Sequence, residues 1–151
     1  MARTATPTAN PGDAAEPWGI AVRNRILIVE DNQANCELLC DWLEAEGYEV
    51  LTATDLGAAF AAVENQNPHA VLLDVKLGAE DGLRLAQQMR REVRSRHIPI
   101  IAVTAKAMIA EEERMLQAGC NAYVSKPIDF RLLRGHLEHW LSASRKSPFS
   151  P

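Results

Sequence analysis

The chain is short of several things, and each shortage removes a class of function. It has only three cysteines, an odd count without framework spacing. That excludes a disulfide scaffold and fits a reducing compartment. Cys36 and Cys40 stand four apart on an expected helix, but no His or acid completes a soft-metal ligand set, so small core or boundary residues is the simpler reading. Basic residues are not in excess: 16 Lys and Arg face 20 Asp and Glu, giving a formal net charge of −4 and a pI near 5.6. A nucleic-acid partner would need a basic face, so none is expected. No apolar run approaches the roughly 20 residues of a membrane span. The N-terminus lacks the apolar segment of a secretory signal. A cytoplasmic protein with no membrane partner is the expectation.

What remains is one ordinary domain. The chain has 151 residues, 47% hydrophobic and 24% charged, enough for a real core. Residues 1–24 are rich in Ala, Thr and Pro without periodicity and read as a disordered leader. Residues 144–151 read as a flexible tail, leaving 25–143 as the domain.

Inside it, strand and helix alternate five times. Strands are expected at Arg25–Glu30, Tyr48–Thr52, Ala70–Asp74, Pro99–Thr104 and Asn121–Val124. Helices are expected at about Gln33–Glu46, Asp55–Asn65, Gly82–Arg94, Ala107–Gln117 and Asp129–Ser142. Asn32 is placed to cap the first helix and Gly47 to stop it. Val75–Asp81 reads as a loop. This alternation implies an α/β fold, a flavodoxin-like doubly wound parallel sheet of strand order 2-1-3-4-5.

The strand ends carry the chemistry. Ile26-Leu27-Ile28-Val29 runs into Glu30-Asp31, and Val71-Leu72-Leu73 runs into Asp74. Ile100-Ile101-Ala102-Val103 ends at Thr104, and Ala122-Tyr123-Val124 leads into Ser125-Lys126-Pro127. In such sheets ligands bind at the carboxyl ends of the strands, at the switch point. Three carboxylates on one rim repel one another unless a cation sits among them. Oxygen-only ligands select a hard ion, and Mg²⁺ is the usual one beside phosphate. Asp74 is then a candidate nucleophile toward phosphorus, with Lys126 and Thr104 to neutralise and hydrogen-bond phosphoryl oxygens.

These segments, with Gly82 eight residues after Asp74 and Val103-Thr104-Ala105, together resemble the receiver domain of bacterial response regulators. The match spans about Arg25 to Ser142. Glu30-Asp31-Asn32 and Gly119-Cys120-Asn121-Ala122-Tyr123 are most similar to single-domain receivers that control cell division and polarity. The resemblance implies that Asp74 is the phosphoacceptor of a two-component phosphorelay. It implies direct Mg²⁺ ligation by Asp31, Asp74 and the backbone carbonyl of Lys76, with Glu30 acting through water. Thr104 and Lys126 would grip the phosphoryl group, Tyr123 would be the aromatic switch, and the Lys126-Pro127 bond would be cis. The phosphodonor would be a histidine kinase or a histidine phosphotransfer protein, docking on the first helix. Leu38, Leu39, Trp42 and Leu43 cannot all face a core, which leaves apolar surface there. The face made by the fourth helix, fifth strand and fifth helix (α4-β5-α5 in the family's count) would bind a downstream target. The protein would be a monomer or a phosphorylation-dependent dimer. It would be a signalling domain, not an enzyme, although it assists its own phosphorylation and dephosphorylation. No helix-turn-helix or cyclase-like segment follows Ser142, which points to action through partners.

Some positions depart from the family. Gly78 stands where a proline is usual and suggests a more flexible loop. Lys76 and Lys106 occupy positions that border the attacking water in the family: either they alter the lifetime of the phosphoaspartate through its charge, or both simply point into solvent. Two other readings stay open. An aspartyl phosphatase of the haloacid dehalogenase type needs a second Asp two residues after the nucleophile, where this chain has Lys76. A receiver-like module that has lost phosphorylation would normally lack an acid, the Thr or the Lys, and all are present.

Overall fold

The computed structural model of the protein describes residues 23–105 and 108–145. In chain order the elements are β1 (Arg25–Val29), α1 (Gln33–Ala45), β2 (Glu49–Ala53), α2 (Leu56–Gln66), β3 (Ala70–Asp74), β4 (Lys76–Leu77) and β5 (Glu80–Asp81). They continue with α3 (Leu83–Arg91), β6 (Ile100–Thr104), α4 (Ile109–Ala118), β7 (Ala122–Ser125) and α5 (Phe130–Arg145). Five strands form one sheet in the order β2-β1-β3-β6-β7, and every pair in it is parallel. Leaving out the hairpin strands β4 and β5, this is the expected 2-1-3-4-5 order.

The apolar runs have no hydrophobic alternation because both faces of the sheet are covered. Period-two geometry sends alternate side chains to opposite cores. Leu27, Val29, Val71, Leu73, Ile100 and Ala102 join the core under α2, α3 and α4. Ile26, Ile28, Ala70, Leu72 and Ile101 join the core under α1 and α5. Each fully buried aliphatic side chain contributes about 1.5–3 kcal/mol of transfer free energy. A one-residue slip of register would exchange the two sets, so the register is tightly specified.

Local chemistry starts the helices. The Asn32 side chain accepts from the Asn35 N–H, that of Asp55 from the Ala58 N–H at 2.7 Å, and that of Asp129 from the Arg131 and Leu132 N–H groups. Each satisfies an N–H group that the helix itself leaves unpaired. Gly47 follows α1 with φ 96°, the left-handed conformation that ends a helix.

Two expected elements differ. The loop after Asp74 contains a short antiparallel hairpin, Lys76 opposite Asp81 and Leu77 opposite Glu80. Gly78 closes it with φ +62°, a glycine at the first central position of a two-residue turn. Proline, locked near φ −65°, does not fit that turn. The departure therefore places a left-handed glycine at a turn position that proline cannot occupy. Helix three stops at Arg91, three residues short of expectation, because Glu92 is extended (φ −106°, ψ 134°). The chain is then tied down by side chains: the Ser95 hydroxyl donates to the Met89 carbonyl at 2.8 Å. The Arg90 guanidinium donates to the carbonyls of Arg96, Ile98 and Gly119 and to the Asn121 side chain. Such side-chain hydrogen bonds compete with helix continuation.

Candidate functional site

β1 and β3 are neighbours in the sheet with Val29 opposite Leu73, so Glu30 and Asp74 leave the sheet side by side. Glu30 is 3% exposed and Asp74 6%, whereas Asp31 faces solvent. One carboxylate oxygen from each of Glu30, Asp31 and Asp74 lies within 4.8 Å of the other two. Among the described residues this is the sole cluster of its kind. The donor set is all oxygen and part buried, which suits a hard divalent cation.

Lys126 supplies the opposing charge. Its Nζ lies 3.2 Å from Asp74 Oδ2 and 3.3 Å from Glu30 Oε1. Burial alone draws the pKa of this ammonium down, but Asp74 and Glu30 more than reverse that and hold it above the ordinary lysine value. The group therefore stays cationic at neutral pH. β6 and β7 bring Thr104 and Lys126 together: Thr104 is opposite Ser125, and its carbonyl accepts from the Lys126 N–H at 2.8 Å. Thr104 is buried, and its neighbour in the strand, Val103, pairs with Asp74. The Lys126-Pro127 peptide is cis.

The backbone completes the rim. The Asn32 N–H donates to Glu30 Oε2 and the Lys76 N–H to Asp74 Oδ1, both at 3.2 Å. A side chain at Gly78 would come to 3.5 Å of Asp31 Oδ2, so the hairpin turn lies against the acidic cluster. Gly82 is required by close approach: a Cβ there would stand 2.1 Å from the Asp74 carbonyl oxygen. Its N–H donates to the Val75 carbonyl at 2.7 Å, folding the hairpin back under the strand end. Lys76 is exposed. Lys106 lies outside the described residues.

A buried, cation-paired carboxylate beside two further acids and a hydroxyl, at a sheet switch point, is equipped to bind a hard ion and an oxyanion together. The sequence from 26 to 138 matches the family model described as the response regulator receiver domain. The chain belongs to the response regulator receiver family. The receiver is 42% identical over 103 residues to the polar-differentiation response regulator DivK of Brucella ovis, covering 68% of this chain and 84% of that protein. The DivK of Brucella anthropi is equally similar, with the same coverage. Among solved structures, a CheY-like receiver domain protein from Methanospirillum hungatei superposes with a TM-score of 0.76 at 32% identity, covering 83% of this chain and 98% of that one. The receiver domain of a sensor histidine kinase from Pseudomonas aeruginosa gives 0.74 at 35% identity, covering 80% and 99%. That structure holds a magnesium ion coordinated in its active-site cleft.

Away from the rim, Tyr123 of β7 packs half-buried against the α2-α3-α4 core. Interaction of its hydroxyl with the Glu112 carboxylate of α4 raises the phenol pKa, with desolvation and the Glu112 charge adding to the rise. Sequence spacing gave no sign of this link, nor of the Arg114–Asp81 ion pair at 2.9 Å that joins α4 to the hairpin. On α1, Leu39 and Leu43 are buried and Leu38 is 55% exposed. Trp42 packs against Phe130 of α5 with ring centroids 5.0 Å apart and the planes tilted by 42°. Cys36 and Cys40 pack against the α1-α5 core. Among the described residues no helix is long and apolar enough to cross a membrane.

Proposed function

We propose that Asp74 accepts a phosphoryl group from a phosphohistidine of a histidine kinase or phosphotransfer protein, and that this switches a partner-binding face. The observation that carries the reading is the placing of Lys126 Nζ between Asp74 Oδ2 and Glu30 Oε1 at 3.2 and 3.3 Å. A carboxylate oxygen of Asp74 attacks phosphorus, the P–N bond of the donor breaks, and the imidazole leaves with the electron pair. Lys126 and Thr104 then face the new phosphoryl oxygens, where positioned charge and hydrogen bonds matter most. Asp31, Asp74 and the Lys76 carbonyl would hold Mg²⁺, with Glu30 contributing through water. Bound there, the ion neutralises charge on the transferring phosphoryl group.

The readout runs through Thr104 and Tyr123 to α4, β7 and α5. Phosphorylation adds charge and acceptor oxygens at one rim, and a partner that prefers one arrangement of that face shifts the population toward it. Met108, Ile109 and Leu116 are exposed at α4 and offer apolar contact to such a partner. The setting of this work would be the cytoplasm.

Incubation with Mg²⁺ and a small phosphodonor, read by intact mass, tests the reading. Wild type is expected to gain one phosphoryl group and Asp74→Asn none. A wild type that never gains one returns the chain to the class of phosphorylation-independent modules. An equal gain by the variant would move the phosphoacceptor elsewhere.

A further inference from the structure

We propose that the pole of the sheet opposite Asp74 carries a second site, one that binds a small phosphomonoester. An open-mouthed cavity of about 260 Å³ lies there, where β1 and β6 begin. Its floor includes Ile98 and Leu141, and its rim includes Arg25, Arg94, His69 and His97. Among the described residues lining it none is acidic, although the whole chain carries a net charge of −4.

The site is partly preorganised. Arg25 Nε and Nη2 donate to the carbonyls of Gln66 and Asn67 at 3.0 and 2.9 Å. Those bonds to the end of α2 fix the guanidinium plane and leave its remaining donors for a ligand. The Arg25 N–H donates to His69 Nδ1 at 2.8 Å. That bond makes Nδ1 the acceptor and fixes the orientation of the ring. Arg94 and His97 are exposed, and no hydrogen bond or ion pair engages their side chains among the described residues. Arg25 and Arg94, gathered in one concavity with no acid among its described lining residues, repel one another. An oxyanion removes that repulsion and accepts charge-assisted hydrogen bonds from the arginine forks. Two arginines favour a dianion over a carboxylate, and the apolar floor favours an organic substituent. The cavity is too small for more than a compact one.

Phenyl phosphate, inorganic phosphate and benzoate are the probes, titrated without Mg²⁺ into the full-length protein and followed by amide chemical shifts. Leaving out Mg²⁺ keeps the acidic rim at Asp74 repulsive to anions. Phenyl phosphate is expected to saturate in the millimolar range, shifting the amides of His97, Ile98 and Arg25. Inorganic phosphate should bind the same place more weakly. The double variant Arg94→Ala/His97→Gln, altered only at exposed positions, should weaken phenyl phosphate by about tenfold. Asp74→Asn should leave its binding unchanged, which separates this site from the phosphoacceptor. The inference is overturned if the shifts fail to saturate, centre on Thr104 and Lys126, survive the double variant, or arise equally with benzoate.

Discussion

At the scale of single residues, side chains at this rim are set by their neighbours' charge and by burial. Lys76 lies two residues beyond Asp74 with its side chain in solvent, while its own N–H holds Asp74 Oδ1. A lysine free to reach a phosphoryl oxygen stabilises the phosphorylated state by a charge-assisted contact. Lys76→Ala is therefore expected to change the phosphoaspartate half-life by about two- to tenfold, since exposed ion pairs contribute up to roughly 1 kcal/mol. Decay of the phosphorylated mass after removal of the donor measures this, and an unchanged half-life rejects a role for the side chain. Cys120 illustrates burial without function. Burial pushes its thiol up to about 12, against a small opposing pull from Arg90. The unfolded chain, with its thiol at the ordinary 9.0, loses that proton first. The sulfur therefore contributes its full stability below about pH 9 and loses it as the pH rises through 12. The stability gap between wild type and Cys120→Ala should narrow between pH 8 and 11, as read by urea denaturation at each pH.

At the scale of elements, the segment from Asp74 to Leu83 matters most to the site. The hairpin turn at Gly78 sits against Asp31, and the backbone at Gly82 crosses so close to Asp74 that a side chain has no room. Gly82→Ala is expected to destabilise the protein by about 3 kcal/mol, the upper end of ordinary overpacking. It should also cut phosphorylation, because the displaced atom is the carbonyl of Asp74, the proposed phosphoacceptor. Gly135→Ala in α5 is the contrasting arm, since nothing lies within 4 Å of a Cβ there. That variant should gain about 0.5–1 kcal/mol from helix propensity. Chemical denaturation of the two variants compares them directly, and similar losses in both would reject close approach as the reason for Gly82.

At the scale of the whole molecule, two cores hold one sheet, and the acidic rim works against them. Glu30, Asp31 and Asp74 bring three carboxylates together with one lysine between two of them. A cation that binds only the folded chain stabilises it by mass action, about 2.7 kcal/mol at a hundredfold excess over Kd. Mg²⁺ is expected to raise the midpoint of thermal unfolding by several degrees. Asp31→Asn should lose most of that gain while being more stable than wild type in the metal-free state. Thermal scans with and without Mg²⁺ show both effects. A Mg²⁺ response undiminished in the variant would remove Asp31 from the ligand set.

The order of β-runs and helices along the chain determined the fold class, the sheet order and the residues at the strand ends. Uninterrupted β-branched and aliphatic runs bury on both faces, and capping residues start helices by purely local hydrogen bonds. Glu30, Asp31, Asp74, Thr104 and Lys126 could thus be selected before any geometry was known. Only the tertiary structure decided what depends on chain segments far apart. The overlong third helix was corrected by Arg90, whose acceptors reach to Asn121. The hairpin after Asp74 needed the left-handed turn at Gly78 packed beside Asp31. The Tyr123–Glu112 link and the Arg114–Asp81 pair join elements that no periodicity connects. Position along a strand is a local property of sequence; the company a side chain keeps is set by how the helices pack across the sheet.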